Sequence, residues 1–175
     1  MSLLHQRRFR RSVCLRISAW CFPIVLTCAL LFLSLGVSPK TAAQGPAPAL
    51  VSQETSTRAI AVDSVMQTRE PFAVTSPLSW GNDTRTRIML FAMNLTLQPN
   101  ETPAAVSANA EDGGHNIYSL SVEYVGPVHD QEWMTSIVVR LNDQMGDLGD
   151  VLVGISYRGV SSNRVRVAIG HLGDG

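Results

Sequence analysis

Apolar and polar side chains alternate with a period of two over the last third of this chain. Tyr118, Leu120, Val122 and Tyr124 make one set, Val151, Val153, Ile155 and Tyr157 a second, and Val165, Val167 and Ile169 a third. Successive side chains of a strand point to opposite faces, so each set lines one face and needs a layer to bury it. Turn residues separate the runs: Pro99-Asn100, Asp112-Gly113-Gly114, Gly126-Pro127, Gly146–Gly149 and Arg158–Asn163. Glycine or asparagine supplies a positive φ in such turns, and proline a fixed one.

The same reading, carried back along the chain, predicts strands over 59–66, 71–75, 85–95, 104–110, 117–125, 134–141, 150–157 and 164–170. The run Ile88-Met89-Leu90-Phe91-Ala92-Met93 is apolar throughout. It is short for a helix and flanked by Thr84 and Thr86, so it reads as a central strand covered on both faces. No long segment has the 3.6-residue period of a helix. The expected fold class is all-β, an antiparallel sandwich or barrel of seven or eight strands over 59–172, with a tail at 173–175. Residues 44–58, QGPAPALVSQETSTR, are rich in Pro, Ala, Ser and Thr and read as a flexible linker.

The N-terminus has a different character. Arg7, Arg8, Arg10, Arg11 and Arg16 precede a run from Ile17 to Val37 that carries no charge. Thr41-Ala42-Ala43 then offers small residues at the positions a signal peptidase reads, with the cut after Ala43. The uncharged run exceeds the roughly 7–15 residues of a signal-peptide core and matches the about 20 residues that span a bilayer as a helix. Pro23 shortens the effective core to Ile24–Val37. Two readings stand, a cleaved signal peptide and a retained signal-anchor with its arginines cytoplasmic. Both place the remaining chain across the membrane. Lipoprotein and twin-arginine signals fit less well, because Thr27 precedes Cys28 and because Arg10 and Arg11 stand where a twin-arginine signal turns apolar.

Charge and cysteine divide at the same place. The chain is formally neutral, yet all fourteen acids lie after residue 43. Eight arginines against those fourteen acids leave residues 44–175 at −6. A domain of that charge repels phosphate backbones, which argues against nucleic acid as a partner. Cys14, Cys21 and Cys28 all fall in the leader, so the domain has no thiol for a disulfide or a thiolate metal site.

The C-terminal segment Ile137–Leu141, a Gly/Asp-rich turn, Asp150–Val153 and then Arg158-Gly159-Val160-Ser161-Ser162-Asn163-Arg164-Val165-Arg166-Val167-Ala168-Ile169 resembles the closing hairpin of the immunoglobulin-like modules of uncharacterised exported bacterial proteins, of the acidobacterial type. Arg85–Asn94 is similar to their opening strand. The resemblance covers about 60–172, and its specific part is the last forty or so residues. It implies an immunoglobulin-like β-sandwich in a surface or secreted setting. It carries no catalytic role for the Ser-Asn pair.

Candidate chemistry is sparse. Asp143, Asp147 and Asp150 sit together in a loop of the kind that binds calcium at sandwich ends, although Gln144 and Met145 break the EF-hand spacing. Trp80 and Trp133 in loops would suit stacking on sugars, with burial as the ordinary alternative. His115, His129 and His171 lack zinc-ligand spacing. Ser156 has Arg158 where a nucleophile elbow needs glycine. Glu111 with Asp112, and Glu123, read as solvated strand faces rather than glycosidase carboxylates. Asn82, Asn94 and Asn100 match the glycosylation acceptor pattern by chance.

The expectation is an exported, non-enzymatic module of the cell envelope, with no cofactor implied. It touches the membrane through its N-terminal helix and meets a protein partner or second copy through an edge strand. The alternative is an extracytoplasmic carbohydrate- or calcium-binding module. N-terminal sequencing of the protein from fractionated cells checks the leader. A first residue of Gln44 shows cleavage, and an intact chain in the membrane fraction shows an anchor. An intact chain soluble in the cytoplasm overturns export.

Overall fold

In a computed structural model the described residues are 45–78 and 81–173. The leader with Ala43, and Trp80, lie outside them. Among the described residues no helix is long and apolar enough to cross a membrane. Residues 43–175 form a compact unit, and every residue of its buried cluster falls between Leu50 and Ile169.

That unit is all-β. Its strands are β1 (Ala49–Leu50), β2 (Ala61–Asp63), β3 (Arg87–Met93), β4 (Val106–Glu111), β5 (Ile117–Val128), β6 (Gln131–Arg140), β7 (Gly149–Tyr157), β8 (Val160–Ser161) and β9 (Val165–Ile169). They pair antiparallel in one curled sheet, in the order β1-β3-β6-β5-β4-β7-β8, with β2 beside β3 and β9 beside β7. The curl is consistent with a β-sandwich. Ile88, Leu90, Ile137, Val139, Val153, Val165 and Val167 are all at most 1% exposed, so both halves of the sheet share one core.

Strand β5 joins the halves. Its first residues pair with β4, Leu120 opposite Ala108, and from Ser121 onward it pairs with β6. Between Val122 and Tyr124 the register shifts, and Glu123 is the extra residue of a β-bulge. The bulge explains where the expected alternation fails. Val122 opposes buried Val139 and packs on the core, whereas Tyr124 opposes outward Val138 and is 48% exposed. Four residues expected on one face are three and one. Gly126-Pro127, expected as a turn, lies inside β5, and the turn comes at His129-Asp130. Beyond Ser121 this strand pairs only with β6 among the described residues, and an unpaired edge tolerates proline's missing N–H.

Three other expectations change. Residues 71–75 make only isolated bridges, at Phe72 and Thr75. Pro103 opens a 3-10 turn over Pro103–Ala105, so the strand expected from 104 begins at Val106. The linker expected over 44–58 contributes β1, whose Leu50 is 3% exposed. Leu50 N–H donates to Asn163 Oδ1 at 2.7 Å, and Asn163 Nδ2 donates to Leu50 carbonyl oxygen at 3.0 Å. One side-chain amide thus imitates a strand neighbour and ties the first strand to the end of the last hairpin. Arg58 adds a second tie, donating to both oxygens of Asp150 at 3.1 and 2.8 Å and lying 3.1 Å from Glu70.

The motif behind the resemblance is structural in this fold. Arg158 and Gly159 both have positive φ and form the two-residue turn between paired Tyr157 and Val160. Ser162 accepts from Ile155 N–H and donates to Asn163 carbonyl oxygen, which sets Asn163 beside Leu50.

Two substitutions test whether residues 44–58 are domain or linker. Asn163→Ala is expected to cost about 1–2 kcal/mol through its two lost hydrogen bonds, and Leu50→Ala about 2–5 kcal/mol through a core cavity. Chemical denaturation reads both, and a linker predicts no change for Leu50→Ala.

Candidate functional site

The outer face of β3, β6 and β5 carries two zones. Strand pairing sets Arg87 opposite Arg140 and Arg140 opposite Ser121, with the bulged Glu123 alongside. The bulge thus places a carboxylate beside two guanidinium groups. Glu123 accepts from Arg87 Nε at 2.7 Å and lies 3.3 Å from Arg140 Nη1. Asp83, in the loop before β3, accepts from Arg85 Nε and Nη2, each at 2.8 Å, and from Arg140 Nη1 at 2.7 Å. Arg85 also approaches Asp143 at 3.4 Å.

Three arginines and three carboxylates therefore neutralise one another. Hydrogen bonds from the Arg85 side chain and backbone, with the positive charge of Arg85 and Arg140, hold the Asp83 carboxyl well below the usual carboxylate range. A carboxylate so stabilised is a poor proton acceptor near neutral pH, and guanidinium does not release a proton there. A cavity of about 310 Å³ beside Arg85, Arg140, Ser119 and Ser121 opens at this row. Another of about 280 Å³ is lined by Asp63, Asp83, Arg85 and Arg87. Among the described residues the buried Nε of Arg140 has no hydrogen-bond partner.

The second zone is apolar. Alternation along β3 sends Ile88, Leu90 and Ala92 into the core and Met89, Phe91 and Met93 outward. This corrects the expectation that 88–93 is covered on both faces. Among the described residues a second layer packs on only one side of β3, and Met93 is 39% exposed. Cross-strand pairing aligns Val62, Met89, Val138 and Tyr124 in one row and Met93 with Met134 in another. Between them Tyr124 lies over Gly126, where a Cβ would collide with its hydroxyl.

The residues singled out from sequence are dispersed. Asp143, Asp147 and Asp150 each face a different partner: Arg85, the His171 ring at 2.5 Å, and Arg58 with Arg166. Among the described residues no group of three His, Cys, Asp or Glu is placed to hold a metal ion. Trp133 is on β6 rather than in a loop, and is 64% exposed. Ser156 pairs with Ser107 and Ser161 inside the sheet. His115 contacts Glu111, which also pairs with Arg164. Asp112 caps the β4–β5 turn, accepting from the N–H groups of Gly114 and Asn116 and from the Asn116 and Tyr118 side chains. Those bonds bring its carboxyl down to about 2. Sequence reasoning missed Asp83, Arg85 and Arg140 as a cluster, because the β3–β6 register and the β5 bulge assemble it.

No protein-family profile, curated protein or solved structure matches the chain.

A third ionic group is suited to measurement. Glu101 accepts from Tyr157 Oη at 2.6 Å, from Gln98 N–H at 2.8 Å and from Arg158 Nε and Nη2. The tyrosine hydroxyl, then the Gln98 N–H and Arg158, lower its pKa from 4.5 to about 2. A folded pKa below the unfolded one gives stability that is present above the unfolded pKa and is lost as pH falls through the folded one. Glu101→Gln is therefore expected to melt with a shallower loss of midpoint than the parent protein between pH 4.5 and 2. Parallel curves over that window would overturn the assignment.

Proposed function

We propose that this protein is an exported, non-enzymatic module of the cell envelope, built as an immunoglobulin-like β-sandwich that works by contact. One observation carries the reading. The outer face of β3 and β6 presents Met89, Phe91, Met93 and Met134 outward, on a domain whose interior is already filled by its own two halves. An apolar face that the fold leaves to solvent marks a contact surface. Methionine suits such a surface, since its unbranched chain adapts to whatever meets it.

Three features support the setting. The leader has the order basic, apolar, small that export machinery reads. The domain lacks cysteine, which leaves nothing to mispair in an oxidising compartment. The charged row pairs its own cations and anions, so it rims the contact face without drawing in a charged substrate. The Gly-Val-Ser-Ser-Asn turn acts as a brace between strands, in keeping with the resemblance to immunoglobulin-like modules.

Photo-crosslinking in the producing cell tests this. A photoreactive residue at Phe91 is expected to give adducts with envelope material, and one at Ser107, outward on the other half, to give none. Equal yields at the two positions, or none at Phe91, would overturn the contact-face reading.

A further inference from the structure

Three cavities of the described domain, of about 310, 280 and 400 Å³, share one lining residue, Arg85. The first extends past Arg140 to Ser119, Ser121 and Asn142, where β5 passes from β4 to β6. Asp63, Val65 and Leu78 wall the second, and Thr75, Asn82 and Asp143 the third. Each lies near the lower end of the roughly 300–1,000 Å³ usual for a small-molecule site. Hollows that meet at one side chain suit a ligand of small linked units better than one compact molecule.

The charges along these walls are already spent on one another. Arg85 donates to Asp83 and Asp143, Arg140 to Asp83 and Arg87 to Glu123. An anionic ligand would have to displace carboxylates from these pairs, and a cationic one guanidinium groups. Thr75, Asn82, Ser119 and Ser121 are exposed at the same walls, and their side chains stand outside the ion pairs. Hydroxyl and amide groups both donate and accept, and so match the hydroxyls of a sugar. Leu78, 61% exposed, and Val65 add an apolar wall for the C–H face of a sugar ring.

We infer that the cavities around Arg85 form one groove for a neutral oligosaccharide. The inference goes beyond the contact face and depends neither on that face nor on export. An extended peptide fits less well, because the strands under the groove pair with one another. Arg87 opposes Arg140 and Arg140 opposes Ser121, so no free edge offers a main-chain ladder there. Trp133, expected from sequence to stack on sugars, takes no part. It stands seven residues from Arg140 along β6, about 23 Å away at the rise of a strand.

The test applies the full chain, in a detergent without a sugar headgroup, to an array of neutral, sulfated and uronate-containing glycans. Retention is expected on neutral glycans of several units, weaker on the matching monosaccharide, and unaffected by excess inorganic phosphate. For the glycan held most tightly, Ser119→Val with Ser121→Val is expected to weaken binding about tenfold, through two lost hydrogen bonds. Asn82→Ala, in another wall of the groove, is expected to weaken it several-fold, and Trp133→Ala to leave it unchanged. All four positions are exposed, so each variant is expected to melt with the parent protein. Retention on no neutral glycan would overturn the inference. So would a preference for sulfated or uronate glycans, or displacement by phosphate, since either marks an anion site. Loss of binding with Trp133→Ala, or full binding by both the serine pair and the Asn82 variants, would overturn it as well. Crosslinking at Phe91 reads the contact face separately, so the two readings fail independently.

Discussion

One sheet has to bury its own apolar face, and strand β5 is where it turns to do so. The strand serves β4 with its first residues and β6 with the rest, so it belongs to both halves of the curl. Just after that change of partner, the extra residue Glu123 shifts the β5–β6 register without carrying a polar side chain into the core. A bulge also bends its strand and strengthens the local twist, which helps a sheet fold over on itself. If Glu123 took a regular place in the strand instead of being the extra residue, Tyr124 would turn inward and every later side chain of β5 would exchange faces.

Closure at the other side of the curl relies on fewer and more polar contacts. The amide of Asn163 meets both backbone groups of Leu50, and Arg58 reaches Asp150 and Glu70 from the segment after β1. Asp150 side chain is 15% exposed and Glu70 10%, so these charges are partly withdrawn from water. Such pairs contribute little net stability against a well-packed apolar replacement, but leaving one member alone is costly. Their main effect is to fix which segment lies beside β9. Residues 57–59 and 70–72 consequently cover an edge that would otherwise be open, through bonds such as Ala59 N–H to Arg166 carbonyl oxygen and Phe72 N–H to Ala168 carbonyl oxygen. Covered edges protect a β domain from pairing with other chains.

The outer surface of β3 and β6 follows from the same geometry. Because β3 and β6 have their neighbours in the plane and a packed layer on one side, their outward residues remain available to solvent or a partner. Charge collects at one end of these strands, in Arg87, Arg140 and Glu123, and apolar bulk at the other, in Met93 and Met134. The gradient runs along the strands, with the chain's entry point at the apolar end.

Period-two alternation by itself determined the fold class, the placement of β7 and β9 and the inward sets on both, because pleat geometry makes facing a local property. The basic and then uncharged order of residues 1–43 is likewise a property of the sequence alone. Bridges between distant segments were illegible: nothing local in Leu50 or Arg58 distinguishes a linker from a strand until Asn163 and Asp150 stand beside them. The outward facing of Met89, Phe91 and Met93 was equally hidden, because a uniformly apolar run looks the same whether one face or both are covered. Tertiary structure decided the Asp83–Arg85–Arg140 cluster and the separate fates of Asp143, Asp147 and Asp150. Cross-strand register and a single bulge bring together or separate side chains that lie far apart, or close together, along the chain.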